Sequence, residues 1–227
     1  MTPQICVSIL PKDMDNALAL IAKAEAAGAS LIEVRMDCLE ETRNLQDLPK
    51  STKLPLIATD KLQSEGGFFK GPEAQRQQIL LNAVKAGFQY VDVDFCSSNP
   101  AETVAKLKAA GARVIVSFHK TDGIISNDDM QNVLKDQQNS GADVCKIVLT
   151  ASKIEDNLPV LNFVAENAAK TKLVSFCMGE PGKTSRLLSP VFGAFFTFAA
   201  LDEGVQTAAG QMNIKEMLTA YRLLGII

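Results

Sequence analysis

The 227-residue chain has one histidine, no run of basic residues and no apolar stretch that approaches a membrane span. A transmembrane helix needs roughly eighteen or more apolar residues in succession, so a span is excluded. Nucleic-acid binding has no footing either. There is no basic patch, no zinc-spaced Cys/His set and no aromatic-basic motif, and the net charge is −3 with acids and bases interleaved. The first residues, MTPQICVSILPK, lack a basic start, an apolar signal core and a small-residue cleavage site, which makes the cytoplasm the expected compartment. The five cysteines, Cys6, Cys38, Cys96, Cys145 and Cys177, are odd in number and far apart. They read as reduced, buried thiols, not as a disulfide framework or a metal site, and none has an activating neighbour in sequence. No Pro/Gly/Ser tract or low-complexity segment divides the chain, so residues 1–227 are expected to form one domain.

What is present is a regular alternation. β-rich runs at Gln4–Leu10, Leu31–Asp37, Pro55–Thr59, Tyr90–Phe95, Arg113–His119, Val144–Leu149, Lys172–Met178 and Phe195–Leu201 are separated by helix-like stretches. Those stretches include Asp13–Ala27, Pro72–Ala86, Pro100–Ala110, Asn127–Asn139, Ile154–Lys170 and Asn213–Leu224. Gly28, Gly87, Gly111 and Gly141 read as helix stops, Asn127 as an N-cap, and Pro72 and Pro100 as first-turn residues. Eight strand–helix units in this length predict an α/β protein with a single (β/α)8 barrel. The competing open, doubly wound sheet lacks its GxGxxG after the first strand, and the polar residues fall at many strand ends. A longer connection, Asp60–Gly71, is a candidate active-site loop.

Residues two apart on a strand share a face. Glu33, Arg35 and Asp37 therefore fall together, as do Asp92 and Asp94, and His119 continues the side of Ser117. Lys146 lies between Val144 and Val148 on one side, with Cys145 and Ile147 on the other. Barrel strands are covered by helices outside, so these polar faces are expected to point inward. Glu33 and Arg35 form either a structural ion pair or part of a site, and Asp92 and Asp94 fit support of helices or lysines. A lysine in mid-strand has little structural use. Burial should lower its pKa and free the amine for imine formation, with His119 converging from the preceding strand.

The segment GEPGKTSR looks like a phosphate loop at Gly182-Lys183-Thr184, but the glycine required five places earlier is Cys177, and the segment follows the seventh strand. An ATP-type loop is rejected. Arg186 in this segment has the planar fork that holds a carboxylate in two places.

Seven segments, in register along nearly the whole chain, resemble the type I 3-dehydroquinate dehydratases of the shikimate pathway. They are EVRMD (Glu33–Asp37), SEGGFF (Ser64–Phe69), VDVDF (Val91–Phe95), VIVSFHKT (Val114–Thr121), GADVCKIV (Gly141–Val148), MGEPGKTSRLLSPVFGAFFTFA (Met178–Ala199) and TAAGQM (Thr207–Met212). The resemblance implies a hydro-lyase acting on 3-dehydroquinate without metal or dissociable cofactor, and a homodimer. It gives Lys146 as the Schiff-base residue, His119 as general acid/base and Glu65 as the carboxylate that orients the histidine. Glu33, Arg35, Lys61, Arg186, Thr207, Gln211 and Met178 are implied substrate-site residues, Arg186 as the carboxylate clamp and Met178 as an apolar wall. Lys61 stands where the family usually has arginine, and Thr207 where it often has serine. A class I aldolase and a ligand-binding barrel without turnover are the rival readings. The SEGG and SFHK segments argue against the first, and only Lys61 motivates the second.

Overall fold

A computed structural model describes residues 2–40, 43–202 and 207–227. Eight parallel strands form a nearly closed barrel: β1 Ile5–Ile9, β2 Leu31–Arg35, β3 Leu56–Thr59, β4 Tyr90–Asp94, β5 Arg113–His119, β6 Val144–Thr150, β7 Leu173–Met178 and β8 Thr197–Ala200. Each strand pairs with the next in sequence up to β7, and β1 pairs with β8. No ladder joins β7 to β8 among the described residues. The gap is bridged where the Phe195 N–H donates to the Leu173 carbonyl at 2.8 Å. Around the sheet lie α1 Met14–Ala26, α2 Asp47–Lys50, α3 Glu73–Ala86, α4 Pro100–Ala109, α5 Asn127–Asn139, α6 Asn157–Asn167, α7 Lys183–Leu188 and α8 Ile214–Leu223.

The two-residue period of the strands sorts every side chain. Ile32, Val34, Val91, Val93, Val114 and Val116 face outward into an apolar layer shared with α1, α3, α4 and α8. Cys145, Ile147, Leu173 and Cys177 face a second outer layer under α5 and α6. The alternate positions, Cys6, Leu31, Ile57, Tyr90, Ile115, Val144, Val148, Val174, Phe176, Phe196 and Phe198, fill the barrel interior. This inner cluster plugs the N-terminal half of the barrel and leaves its C-terminal end to polar side chains, as parallel barrels do.

Helix ends follow local chemistry. Gly28, Gly87, Gly111 and Gly141 all take left-handed φ, at 93°, 111°, 101° and 90°, which ends a helix at no Cβ cost. Two caps differ from the expectation. α5 is capped by the Ser126 hydroxyl, which accepts from Asp129 N–H at 3.1 Å, so Asn127 is already helical. Pro72 occupies the N-cap of α3 in extended backbone instead of the first turn. The stretch read as one helix over Ile154–Lys170 is a 3-10 turn, Ile154–Asp156, followed by α6. Two short helices, α2 and α7, have too few turns to show a periodicity in sequence. The thiols divide: Cys6, Cys145 and Cys177 are buried as expected, but Cys38 is half-buried and Cys96 is exposed.

The connection after β8 is docked onto the end of β7. The Gly179 N–H donates to the Ala209 carbonyl at 3.0 Å, and a Cβ on Gly210 would stand 2.0 Å from the Gly179 carbonyl oxygen at a backbone φ of +70°. Gly225 has a similar φ of +68° in open space. Gly210→Ala should therefore destabilise the fold by about 1–3 kcal/mol more than Gly225→Ala, since it adds a backbone collision to a shared conformational cost. Thermal melting of the two variants checks this difference.

Candidate active site

At the C-terminal end of the barrel, inward side chains from most strands surround one cavity of about 220 Å³. That is below the roughly 300–1,000 Å³ of pockets for drug-sized ligands and suits a small, compact molecule. All ten residues named from the resemblance line it: Glu33, Arg35, Lys61, Glu65, His119, Lys146, Met178, Arg186, Thr207 and Gln211.

Lys146 sits above the apolar plug. Its ammonium donates to Asp92 Oδ2 at 2.9 Å and lies 4.3 Å from the centre of the Phe198 ring. The other Asp92 oxygen accepts from the Ser117 hydroxyl at 2.5 Å. Glu33 is held by two hydroxyls, Ser8 at 2.5 Å and Thr59 at 2.8 Å. Burial pulls the lysine pKa down, but the charges of Asp92 and Glu33 outweigh it and leave it above the usual range. The expectation of a lowered pKa is thus corrected. A buried ammonium beside two fixed carboxylates stays charged.

The reading of Glu33–Arg35 as an ion pair is also corrected. Arg35 binds Asp37 through two parallel bonds, Nε to Oδ1 at 2.8 Å and Nη2 to Oδ2 at 2.6 Å. Strand parity placed Asp37 on the same face, but its carboxylate reaches Arg35 from a 3-10 turn, Met36–Cys38, that follows β2. Burial opposes the Arg35 charge, and Asp37 more than compensates, raising its pKa. Asp37 Oδ2 also accepts from the Phe68 N–H at 2.9 Å. The candidate loop is therefore tied to β2.

Within that loop, Lys61 is half-buried. Burial and then the neighbouring Lys146 charge lower its pKa, against Asp94 and Asp92. Asp94 itself is pushed up to about 6 by burial and by Asp92, although it meets Arg76 Nη1 at 3.2 Å.

His119 ends β5 and is driven well below its ordinary pKa by burial, and further by Lys61, Lys146 and Arg35. It is neutral at physiological pH. Glu65 shares the cavity but does not hydrogen-bond the imidazole here: His119 Nδ1 is buried without a partner. The orienting role implied for Glu65 is not realised in this state.

Arg186 is the most unusual group. It is 1% exposed, stacks on Phe176 with 4.3 Å from Cζ to the ring centre, and has Nε and Nη2 buried with no hydrogen bond. Burial pushes its pKa down to about 10. Each unmet donor costs about 1–3 kcal/mol, a penalty that an anion in the cavity would relieve. α7 holds it through the β7 connection, where Gly182 is required because a Cβ would lie 2.7 Å from the Cys177 carbonyl oxygen. Lys183 of that segment pairs with Glu180 at the surface, so the glycine serves packing and no phosphate cradle forms. Across the cavity, Gln211 Oε1 accepts from the Thr207 N–H at 2.7 Å and its hydroxyl at 3.0 Å.

Ser8, Thr59 and Ser117 were not singled out by sequence. Their short hydroxyls orient the carboxylates that hold Lys146, and only the period-two register with β2 and β4 would have pointed to them. Asp60 was missed altogether. Among the described residues, no group of three or more His, Cys, Asp or Glu side chains is placed to hold a metal ion, and no helix is long and apolar enough to cross a membrane.

The type I 3-dehydroquinase family matches residues 5–227. A 3-dehydroquinate dehydratase of Dehalococcoides mccartyi is 36% identical, with 97% of this chain and 95% of that protein covered. One from Desulfotalea psychrophila is 33% identical over 94% of this chain and 95% of its own length. In three dimensions the chain is similar to a type I 3-dehydroquinate dehydratase of Clostridium difficile, with a TM-score of 0.88, 24% identity, and coverage of 98% of this chain and 92% of that one.

The Lys146–Asp92 contact makes a direct prediction. Asp92→Asn removes the nearest charge that holds the lysine proton and leaves burial as the first influence, so the Lys146 pKa should fall. The half-point for reaction of Lys146 with an amine reagent should move to lower pH. An unchanged titration would show that Asp92 does not control the lysine.

Proposed function

The chain belongs to the type I 3-dehydroquinase family, and from that premise we propose that it converts 3-dehydroquinate to 3-dehydroshikimate in the shikimate pathway through a Schiff base on Lys146. The observation that carries the proposal is the convergence, in one small cavity, of a buried lysine and the only histidine in the chain. Residues 1–227 would act as one catalytic domain, with the cytoplasm as its compartment, and the family resemblance supports a homodimer.

The steps follow from the chemistry of the groups. Attack on the C3 ketone requires free amine, and the Asp92 carboxylate 2.9 Å from Nζ is placed to take the ammonium proton. Loss of water from the resulting carbinolamine gives an iminium, which draws electrons from the adjacent carbon. Neutral His119 removes a C2 proton to form the enamine and then returns it to the leaving C1 hydroxyl. Hydrolysis of the imine releases product and the lysine.

Binding rests on charge and shape. The unpaired Nε and Nη2 of Arg186 suit the two oxygens of the substrate carboxylate. Arg35 and Lys61 add positive charge, Gln211 and Thr207 offer polar contacts, and Met178 and Phe198 supply apolar walls. Lys61 keeps the charge of the usual arginine without its fork, so it acts as a point contact.

Borohydride with dehydroquinate should leave a reduced adduct on Lys146, and Lys146→Ala should abolish adduct and turnover together. An adduct on Lys153, or on any other lysine, would refute the assignment.

His119→Ala should still be trapped on Lys146, because imine formation does not need the imidazole in this scheme. Its turnover should fall roughly 10²–10⁴-fold or more, the scale of losing a positioned acid/base. In the wild type, the acid limb due to His119 should lie below its ordinary pKa range, since the base stays neutral until well under it. Near-normal dehydration by the alanine variant would sink the mechanism.

A further inference from the structure

Asp60 follows β3 and is 1% exposed. Neither of its carboxyl oxygens has a hydrogen-bond partner, although unpaired buried carboxylate is among the costliest groups a protein can keep. The nearby cations are already committed. On one side Arg35 spends Nε and Nη2 on Asp37. On the other, Arg76 of α3 spends Nε and Nη2 on Glu73, at 2.8 and 2.9 Å, and Nη1 on Asp94 and on the Asp60 backbone carbonyl, each at 3.2 Å.

We propose that Asp60 is a positioning residue whose protonation state sets how tightly Arg35 holds an anionic substrate. The proposal rests on the preceding reading of the cavity as a site for an anionic keto acid. The groups that face Asp60 are Asp37 and Cys38 from the turn after β2, Arg35 from β2, and Arg76 and Glu73 from α3, with Asp94 of β4 joined through Arg76. Of the charges that act on Asp60, those of Arg35 and Arg76 are balanced by Asp37 and Glu73. An ionised Asp60 turns that balance to net negative, and a protonated one leaves it neutral. Burial first, then Asp37, pushes its carboxyl up to about 7, which places the change within physiological conditions. Protonated Asp60 favours the bound substrate anion. Ionised Asp60 opposes it through the cations they share.

The sign follows by linkage. Substrate binding favours the protonated carboxyl, so the KM for dehydroquinate should rise as pH increases through the Asp60 titration, with kcat much less affected. One charge acting across several ångströms of partly solvated protein predicts a rise of roughly three- to ten-fold. Asp60→Asn is nearly the same size and breaks no hydrogen bond of the native side chain. It should remove the step and hold KM at the low-pH wild-type value. The same substitution should also stabilise the protein increasingly as pH rises from about 4 to about 7, because the folded state then binds a proton that the unfolded state has lost.

Steady-state kinetics of both proteins between about pH 6 and about pH 8.5 test this, with thermal melting over the acid range as a second readout. A KM step in the wild type that is absent from Asp60→Asn, together with a pH-dependent gain in stability, is the expected result. A flat wild-type KM overturns the proposal without any variant, and so does an equal step in both proteins. Active wild type with either of those outcomes leaves the dehydratase reading standing, whereas failure of the wild type to turn over dehydroquinate removes both.

Discussion

The structure depends on a buried ion pair between Lys146 and Asp92 at the level where the barrel interior changes from apolar to polar. Below it, Phe176, Phe196 and Phe198 close the barrel, with ring centres 5.3 to 6.2 Å apart. Above it the cavity opens. A lone ammonium at that depth would not remain charged, and removing one member of such a pair typically costs about 3–5 kcal/mol. Strand register brings the pair together: β5 lies between β4 and β6, with Ser117 opposite Asp94 on one side and Lys146 on the other. Ser117 therefore reaches Asp92 while Asp92 reaches across to Lys146. The arrangement keeps Lys146 protonated, with an acceptor for its proton already in contact.

The rest of the cavity divides its charges. Lys146 is balanced by Asp92 and Glu33, and Arg35 by Asp37. Arg186 has no partner for two of its nitrogens. Stacking on Phe176 offsets part of the desolvation of its cation. Under the proposed reading this asymmetry would orient an anion, with its negative end at Arg186 and the remainder toward Lys146 and His119. Burial first, and then the charges of Lys61, Lys146 and Arg35, keep the imidazole neutral.

Much of this was legible in the sequence because strand periodicity is strict. Eight strands, the inward side of Lys146, Glu33 and His119, and the helix-ending glycines followed from patterns of two and of about four residues. Asp92 fits support of either a helix or a lysine in sequence, and in the structure it contacts Lys146. Three things were hidden. The direction of the Lys146 pKa depends on a balance between burial and charges from other strands, which a single segment does not show. Arg35 chose Asp37 over Glu33 because the chain turns into a 3-10 helix and Glu33 is taken by hydroxyls from β1 and β3. Asp60 sits next to Lys61 in an ordinary loop sequence, and only the packed structure reveals that its carboxyl has no partner. Family resemblance supplied the site roles of Glu65 and Gln211, which no periodicity would have assigned, whereas the Arg186 clamp was also legible from its own segment after the seventh strand. For Glu65 the structure does not display the role, since it makes no hydrogen bond to His119.

The central claim is that a keto acid is held between Arg186 and Lys146. A crystal structure of the borohydride-reduced complex with dehydroquinate tests it most directly. The account predicts continuous density from Lys146 Nζ to a ring carbon, with the substrate carboxylate on Nε and Nη2 of Arg186. A covalent bond to another residue, or a carboxylate bound elsewhere with those two nitrogens still unpaired, would contradict it.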